Sequence, residues 1–214
     1  MAEPLNVVID ISHHNGSNLN FVQAQQDGIV GVIHKATQGF TFKDKRYEEN
    51  RTKARDAGLL WGVYHFGVGG DGSDQAEHFL NIVNPDADTL LVLDYEPNTT
   101  GSTMTLAQAQ EFVSHVAAIM GRFPGLYSGH LIKEQLSNVL TPHPVFSQCF
   151  LWLAQYAQAP TNIPPTWPTW TLWQYTDGNI GPTPHSVAGI GDCDRDKFNG
   201  SLANLKELWG VESS

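Results

Sequence analysis

Short β-branched runs alternate with longer helical stretches along the first two thirds of this 214-residue chain, and that alternation limits the possible folds more than any other feature. Leu5 to Ile11 (LNVVIDI), Ile29 to Lys35, Leu59 to Phe66, Thr89 to Glu96 and Gly125 to Ser128 are predicted strands. Several are apolar along most of their length, the pattern of strands buried on both faces. Between them lie predicted helices at Leu19 to Asp27, Asp44 to Ala57, Ser73 to Val83, Thr105 to Arg122 and His130 to Asn138. Asp44 and Ser73 are suitable N-caps, Thr105 heads a helix after a polar loop, and Gly58 stands where a left-handed C′ residue is expected. Five βα units in succession call for a parallel sheet with right-handed crossovers.

After Asn138 the proline-rich segments Thr141 to Pro144 and Pro160 to Pro168 leave no room for further crossover helices. Strand patterns nevertheless continue at Cys149 to Tyr156, Thr169 to Thr176 and Ser186 to Gly191, and Leu202 to Trp209 reads as a closing helix. Five strands and three make eight, the number that closes a small barrel filled by its own side chains. The expected fold is therefore α/β, a TIM-like (β/α)5β3 barrel forming one domain over residues 1–214. An open doubly wound sheet is the competing arrangement. The glycine-rich stretch Gly67 to Gly72 lacks both the GK[ST] ending of a P-loop and the GxGxxG spacing, and reads as a turn.

Composition narrows the function. Twelve basic against 22 acidic side chains give a net charge of −10, and no Lys/Arg cluster supplies the basic face that nucleic acid requires. With 41% apolar residues, six Trp and only 16% charged residues, the chain is expected to build a packed core. No stretch approaches the roughly 20 apolar residues of a membrane span. The N-terminus has no basic region, and its apolar run is broken by Asn6 and Asp10, so it is not a Sec signal. The chain reads as a soluble monomer. Cys149 and Cys193 lack metal or redox spacing and are expected to be small buried residues, with a bridge between them as the lesser alternative.

The sharpest local signal is Leu91 to Pro97, LVLDYEP, where a buried strand ends in two carboxylates. Strand side chains alternate, so Asp94 and Glu96 point to one side with Cα atoms about 6.6 Å apart. Burying two like charges is costly unless each has partners or a task, and proximity raises at least one pKa, which keeps a general acid protonated. Taken alone, such a pair is more often an acidic turn. Asp10 also ends a buried strand, and Asp194 lies just after the last one beside Asp192 and Asp196, so Asp10, Asp94, Glu96 and one of these final aspartates can meet at one barrel mouth. Such a cluster suggests glycosidic-bond cleavage. Aromatic side chains stack on the apolar faces of sugars. Tyr64, Phe66, Tyr95, Tyr127, Trp152, Tyr156, Trp173 and Tyr175 fall within strands or at their ends. Of these, Tyr64, Tyr127, Trp152 and Tyr175 are in phase with the mouth and are the candidate substrate-binding residues.

Eight segments, in order, are DISHHNG, HKATQG, AGLLWGVYHF, LVLDYEP, GLYSG, LWLAQY, LWQYT and GIGDCDRDKFNG. Together, over about residues 5 to 200, they resemble glycoside hydrolase family 25, the Chalaropsis-type lysozymes. The resemblance implies a (β/α)5β3 barrel that hydrolyses the β-1,4 bond between N-acetylmuramic acid and N-acetylglucosamine in peptidoglycan. It implies Glu96 as general acid, Asp94 as the carboxylate that orients or stabilises the reacting centre, and Asp10 and Asp194 as supporting members. It brings no cofactor, and its partner is the peptidoglycan glycan strand. Such an enzyme acts on the cell wall, in the periplasm or outside the cell, delivered by phage lysis, a secretion system or a signal since removed. Two departures stand out: Gln38 replaces a commoner glutamate, and the closing segment reads CDRD where an apolar residue usually follows the aspartate.

Rival readings are weaker. A metal-dependent polysaccharide deacetylase could use Asp10, His13, His14, His34, His65 and Asp94. No HExxH occurs, however, and His13 and His14, as neighbours on a strand-like segment, are expected to face opposite sides. Asp192, Asp194 and Asp196 imitate a calcium loop but lack its glycine and glutamate, so Asp192 and Asp196 are expected in a solvated turn. No GxSxG marks a nucleophilic serine. The remaining alternative is a non-catalytic glycan-binding barrel, whose mark would be loss of the acid.

Overall fold

The computed structural model describes residues 3–211. Eight strands close into a barrel: β1 (Leu5–Ile11), β2 (Gly31–Gln38), β4 (Leu60–Phe66), β5 (Leu90–Asp94), β6 (Gly125–Ser128), β7 (Leu151–Ala154), β8 (Leu172–Thr176) and β11 (Asp194–Phe198). The short strand β3 (Phe42–Lys43) folds back antiparallel on the end of β2. Closure rests on β1, which pairs parallel with β2 and antiparallel with β11. An open sheet is thereby excluded. All other barrel pairings are parallel except that of β11 with β8.

Helices α1 (Phe21–Gln26), α2 (Tyr47–Asp56), α3 (Gly72–Val83), α4 (Leu106–Met120) and α5 (His130–Leu136) follow the first five barrel strands, and no helix connects the last three strands to one another. The expected (β/α)5β3 order is present. Thr105 caps α4, its hydroxyl accepting from the Gln108 N–H at 3.3 Å, and Gly58 takes φ +76° after α2. Two caps differ from expectation. Helix α3 begins at Gly72 and is capped by Asp71, whose carboxylate accepts from the Asp74 N–H, so Ser73 lies inside it. Helix α2 begins after Arg46, and Asp44 instead accepts from the backbone N–H groups of Arg46 and His13.

The eighth barrel strand was also expected elsewhere. Ser186–Val187 (β9) and Gly191–Asp192 (β10) form a separate two-stranded hairpin, and the barrel is completed by β11. Gly189 and Gly191 have φ of +79° and +90°, so the chain turns where continuous strand was read. Charge hides the real strand: in DRDKF the side facing the barrel axis carries Asp194, Asp196 and Phe198, so apolar alternation is absent. Asp196, expected in a solvated turn, is wholly buried, whereas Asp192 is exposed as expected.

Strand alternation divides the core in two. Val8, Ile33, Leu90, Val92, Leu172 and Phe198 fill the barrel. Their opposite-facing neighbours pack beneath the helices around Phe79, Phe112, Val63 and Leu153. His34 and His65 lie in that outer layer, where burial pushes their pKa values down to about 4 and about 3. Cys149 and Cys193 are free and buried, each thiol pushed up to about 12 by burial. Helix α6 (Leu202–Leu208) brings Leu205 and the fully buried Trp209 against the N-terminal end of the barrel. The Trp209 ring packs against β2 at Gly31, where even a Cβ would lie at contact distance, 3.4 Å from the indole.

Removing that indole leaves a large void under the barrel. Trp209→Ala is expected to cost about 3–5 kcal/mol, read as a lowered urea midpoint at unchanged m-value. A loss of less than about 1 kcal/mol would show that the indole does not hold the barrel's lower end.

Candidate active site

The side chains that fill the barrel change character from one end to the other. On β1, Val8 gives way to Asp10; on β5, Leu90 and Val92 give way to Asp94; on β8, Leu172 gives way to Gln174. Each strand thus buries apolar residues along its length and turns polar where its C-terminal end opens to the mouth. Glu96 keeps the phase of Asp94, two residues further along. The antiparallel strand β11 contributes its N-terminal end, and Asp194 pairs in register with Asp10.

The four predicted carboxylates, Asp10, Asp94, Glu96 and Asp194, line one cavity of about 210 Å3. Tyr64, Tyr127 and Trp152 stand on its walls as expected, and the Tyr127 and Trp152 rings meet edge to face at 4.6 Å. Tyr175 does not belong to the site. It is fully buried on the outer side of β8, where its hydroxyl donates to the Pro184 carbonyl at 2.9 Å. Its neighbour Gln174 faces inward, because the strand's phase runs Leu172, Gln174, Thr176 and places Trp173 and Tyr175 under the shell. The cavity is completed by Gln174 and Tyr156. Neither was singled out for the site, although the aromatic run CFLWLAQY already contained Tyr156.

Burial dominates the electrostatics. Asp94 is 6% exposed, and its Oδ1 has no hydrogen-bond partner among the described residues. Burial, and then the nearby Glu96, push its carboxyl well above the ordinary range, with Lys35 opposing. Glu96 is half-buried and also raised by burial, partly offset by His130. Asp10 is raised well above the usual range by burial, with Asp194 and Asp196 adding to it, and Asp194 is pushed up to about 7, chiefly by burial. Lys35 points into the barrel from β2. Its Nζ donates to Gln38 Oε1 at 2.7 Å and sits 5.0 Å from the Phe66 ring centroid.

The histidines considered as ligands are engaged elsewhere. His34 Nδ1 donates to the Lys35 carbonyl, and its Nε2 accepts from Asn50. His65 Nδ1 accepts from Thr37 Oγ1, and its Nε2 donates to Gln75. His13 and His14 do not face opposite sides. They lie in one 3-10 turn, with ring centroids 4.0 Å apart, and His13 Nδ1 lies 2.7 Å from Asp44 Oδ2. Among the described residues no three His, Cys, Asp or Glu side chains are disposed to hold a metal ion.

A closed α/β barrel with a raised, paired set of carboxylates and aromatic walls at its mouth defines the class of barrel glycoside hydrolases. The model of glycosyl hydrolases family 25 matches residues 9–182, and the chain belongs to that family. It is 30% identical to Lysozyme M1 of Streptomyces globisporus, over 94% of this chain and 70% of that protein. It is 28% identical to the N,O-diacetylmuramidase of a Chalaropsis species, over 93% of this chain and 96% of that one. Among solved structures, a family 25 lysozyme from Aspergillus fumigatus superposes with a TM-score of 0.78 at 32% identity, covering 96% of this chain and 98% of that one.

The raised carboxyl of Asp94 has a consequence for stability. A folded-state pKa above the unfolded value means that the ionised group destabilises the fold at neutral pH, and that this cost vanishes as pH falls toward the unfolded value. Asp94→Asn is therefore expected to raise Tm at pH 7, with the gain shrinking toward pH 4. Calorimetry at both pH values checks it, and a lower Tm at pH 7 would contradict the burial argument.

Proposed function

We propose that the chain is a lysozyme of the muramidase type, hydrolysing the β-1,4 bond between N-acetylmuramic acid and N-acetylglucosamine in peptidoglycan, with Glu96 as general acid. The observation that carries this reading is the Asp94–Glu96 pair, raised together and facing an aromatic-walled cavity. The pair holds a proton through a range in which free carboxyls are ionised. Glu96 is the less buried of the two and stands nearer the opening, where it can reach the leaving glycosidic oxygen. Asp94 lies deeper and serves as the partner carboxylate that orients or stabilises the reacting centre. Asp10 and Asp194 surround the same cavity and keep its proton content high. Tyr64, Tyr127, Trp152 and Tyr156 supply ring surface for the sugars.

The names of the relatives support the substrate class: Lysozyme M1 and N,O-diacetylmuramidase. On this reading residues 1–214 are one catalytic domain, acting as a monomer on wall glycan without a cofactor, and its place of action is the cell wall. No helix among the described residues is long and apolar enough to cross a membrane.

Positioned acid catalysis contributes about 10²–10⁴ in rate. Glu96→Gln is expected to abolish clearing of a peptidoglycan suspension while oligosaccharide affinity stays within a few-fold of wild type. Clearing at the wild-type rate would refute the acid assignment. Mass spectrometry of borohydride-reduced digests is expected to show muramitol at the new ends; glucosaminitol would redirect the bond assignment, and no released fragments would favour a binding barrel. The pH profile should be bell-shaped, its alkaline limb marking loss of the acid's proton. A flat rate from pH 4 to pH 9 would exclude carboxylate acid catalysis.

A further inference from the structure

Behind the cavity, polar side chains from five strands join in one chain of contacts. Gln174 on β8, 2% exposed, donates from Nε2 to Asp10 Oδ2 at 2.8 Å. Its Oε1 accepts from the hydroxyls of Tyr127 at 2.8 Å and Tyr156 at 2.9 Å. On its other side, Asp10 faces the carboxyl of Asp196 across the β1–β11 pairing, near enough for each to bear on the other's proton. Asp196 is 0% exposed; its Oδ1 accepts from Trp152 Nε1 at 2.7 Å, and its Oδ2 has no donor among the described residues.

Two ionised carboxylates in contact offer only acceptors, and burial denies them water. The groups facing the pair relieve this only in part, Gln174 at Asp10 and Trp152 and Arg195 at Asp196. Strand β11 brings the like charge of Asp194, β8 the neutral Gln174 and β7 the neutral Trp152. Arg195 on β11 turns to the outer side, where its guanidinium donates to the Ser186 carbonyl at 2.6 Å. Burial holds both Asp10 and Asp196 well above the ordinary carboxyl range, and Asp194 adds to each, while the Trp152 N–H, the Asp10 contact and Arg195 pull Asp196 down without cancelling the effect. A proton between them supplies the donor that Asp196 Oδ2 lacks.

We propose that Asp10 and Asp196 share one proton, and that Asp196 and Gln174 act through this pair as positioning residues that set the hydroxyls of Tyr127 and Tyr156 as acceptors toward a bound sugar. The amide of Gln174 cannot reverse, because its Nε2 must face the Asp10 oxygen. Its Oε1 therefore takes the proton of each phenol, and the phenol lone pairs remain for N–H or O–H groups of the ligand. The sugar half rests on the proposed function; the shared proton does not.

The test is 13C NMR of the aspartate carboxyls in the intact protein at pH 6–8. Wild type is expected to show one protonated aspartate carboxyl more than Asp196→Asn, where the new amide donates to Asp10 and accepts from Trp152 without a titrating proton. Unfolding at pH 6 should then release about one proton fewer from the variant. Should Asp196→Asn fail to fold, Asp10→Asn is expected to remove the same resonance. An equal number of protonated carboxyls in wild type and variant would overturn the shared proton. For the positioning half, Gln174→Leu is expected to raise KM for soluble glycan fragments at least tenfold, with a smaller change in kcat; an unchanged KM would overturn it. Failure of the glycosidase reading would appear as no turnover in wild type and would leave the NMR result standing.

Discussion

The pairing of β1 with both β2 and β11 is the constraint on which the rest depends. It closes the sheet, and a closed sheet has an inside that every strand must share. Because side chains alternate, closure fixes which half of each strand's residues meets on the axis. The lower layers are apolar and are sealed by Trp209 of the C-terminal segment. Packing those layers leaves the upper one free to be polar, since the backbone there is already held by neighbouring strands. The antiparallel return of β11 matters for the same reason: it places Asp194 opposite Asp10, at the mouth, instead of at the far end of the barrel.

That upper layer is unfavourable by itself. Asp10, Asp94, Asp194 and Asp196 are each raised first by burial, before any neighbour acts on them. The orphaned oxygens of Asp94 and Asp196 lie in the same layer. A fold selected for stability alone would place amides or apolar groups there. Like charges held close at low solvation keep protons that free carboxyls release near pH 4, and a reaction that needs a carboxylic acid draws on that retention. The stability of the barrel walls and the strain at its mouth are two results of the same packing.

Much of this was legible in the sequence because the lower barrel is apolar. The first five βα units, the loss of helices after Asn138 and the Asp94–Glu96 pair could be read from periodicity and from Asp and Glu ending an apolar run. What escaped lies where inward positions are polar. DRDKF has no apolar alternation, so the final strand was placed one segment early, on a glycine-bearing hairpin, and Asp196 was assigned to solvent. At β8 the aromatic residues suggested that Tyr175 faced the cavity, whereas the strand's phase gives that direction to Gln174. Side-chain type was taken as a guide to direction, but inside a barrel direction follows from register. The two histidines after β1 were misread for a similar reason, since a 3-10 turn begins where strand had been extended.

The one basic side chain among those shifting Asp94 is Lys35, and its surroundings sharpen its role. In HKATQG position 38 is a glutamine, not a carboxylate. Lys35 therefore bonds to a neutral amide, and among the described residues it makes no ion pair within 4.0 Å. A carboxylate at position 38 would neutralise the ammonium locally. The amide leaves that charge directed at Asp94 through a low-dielectric region, where Coulomb interactions are several-fold stronger than in water. In a chain of net charge −10, this single cation bears on how the pair divides its proton. It pulls the Asp94 carboxyl down against the burial and the Glu96 charge that raise it, without cancelling them.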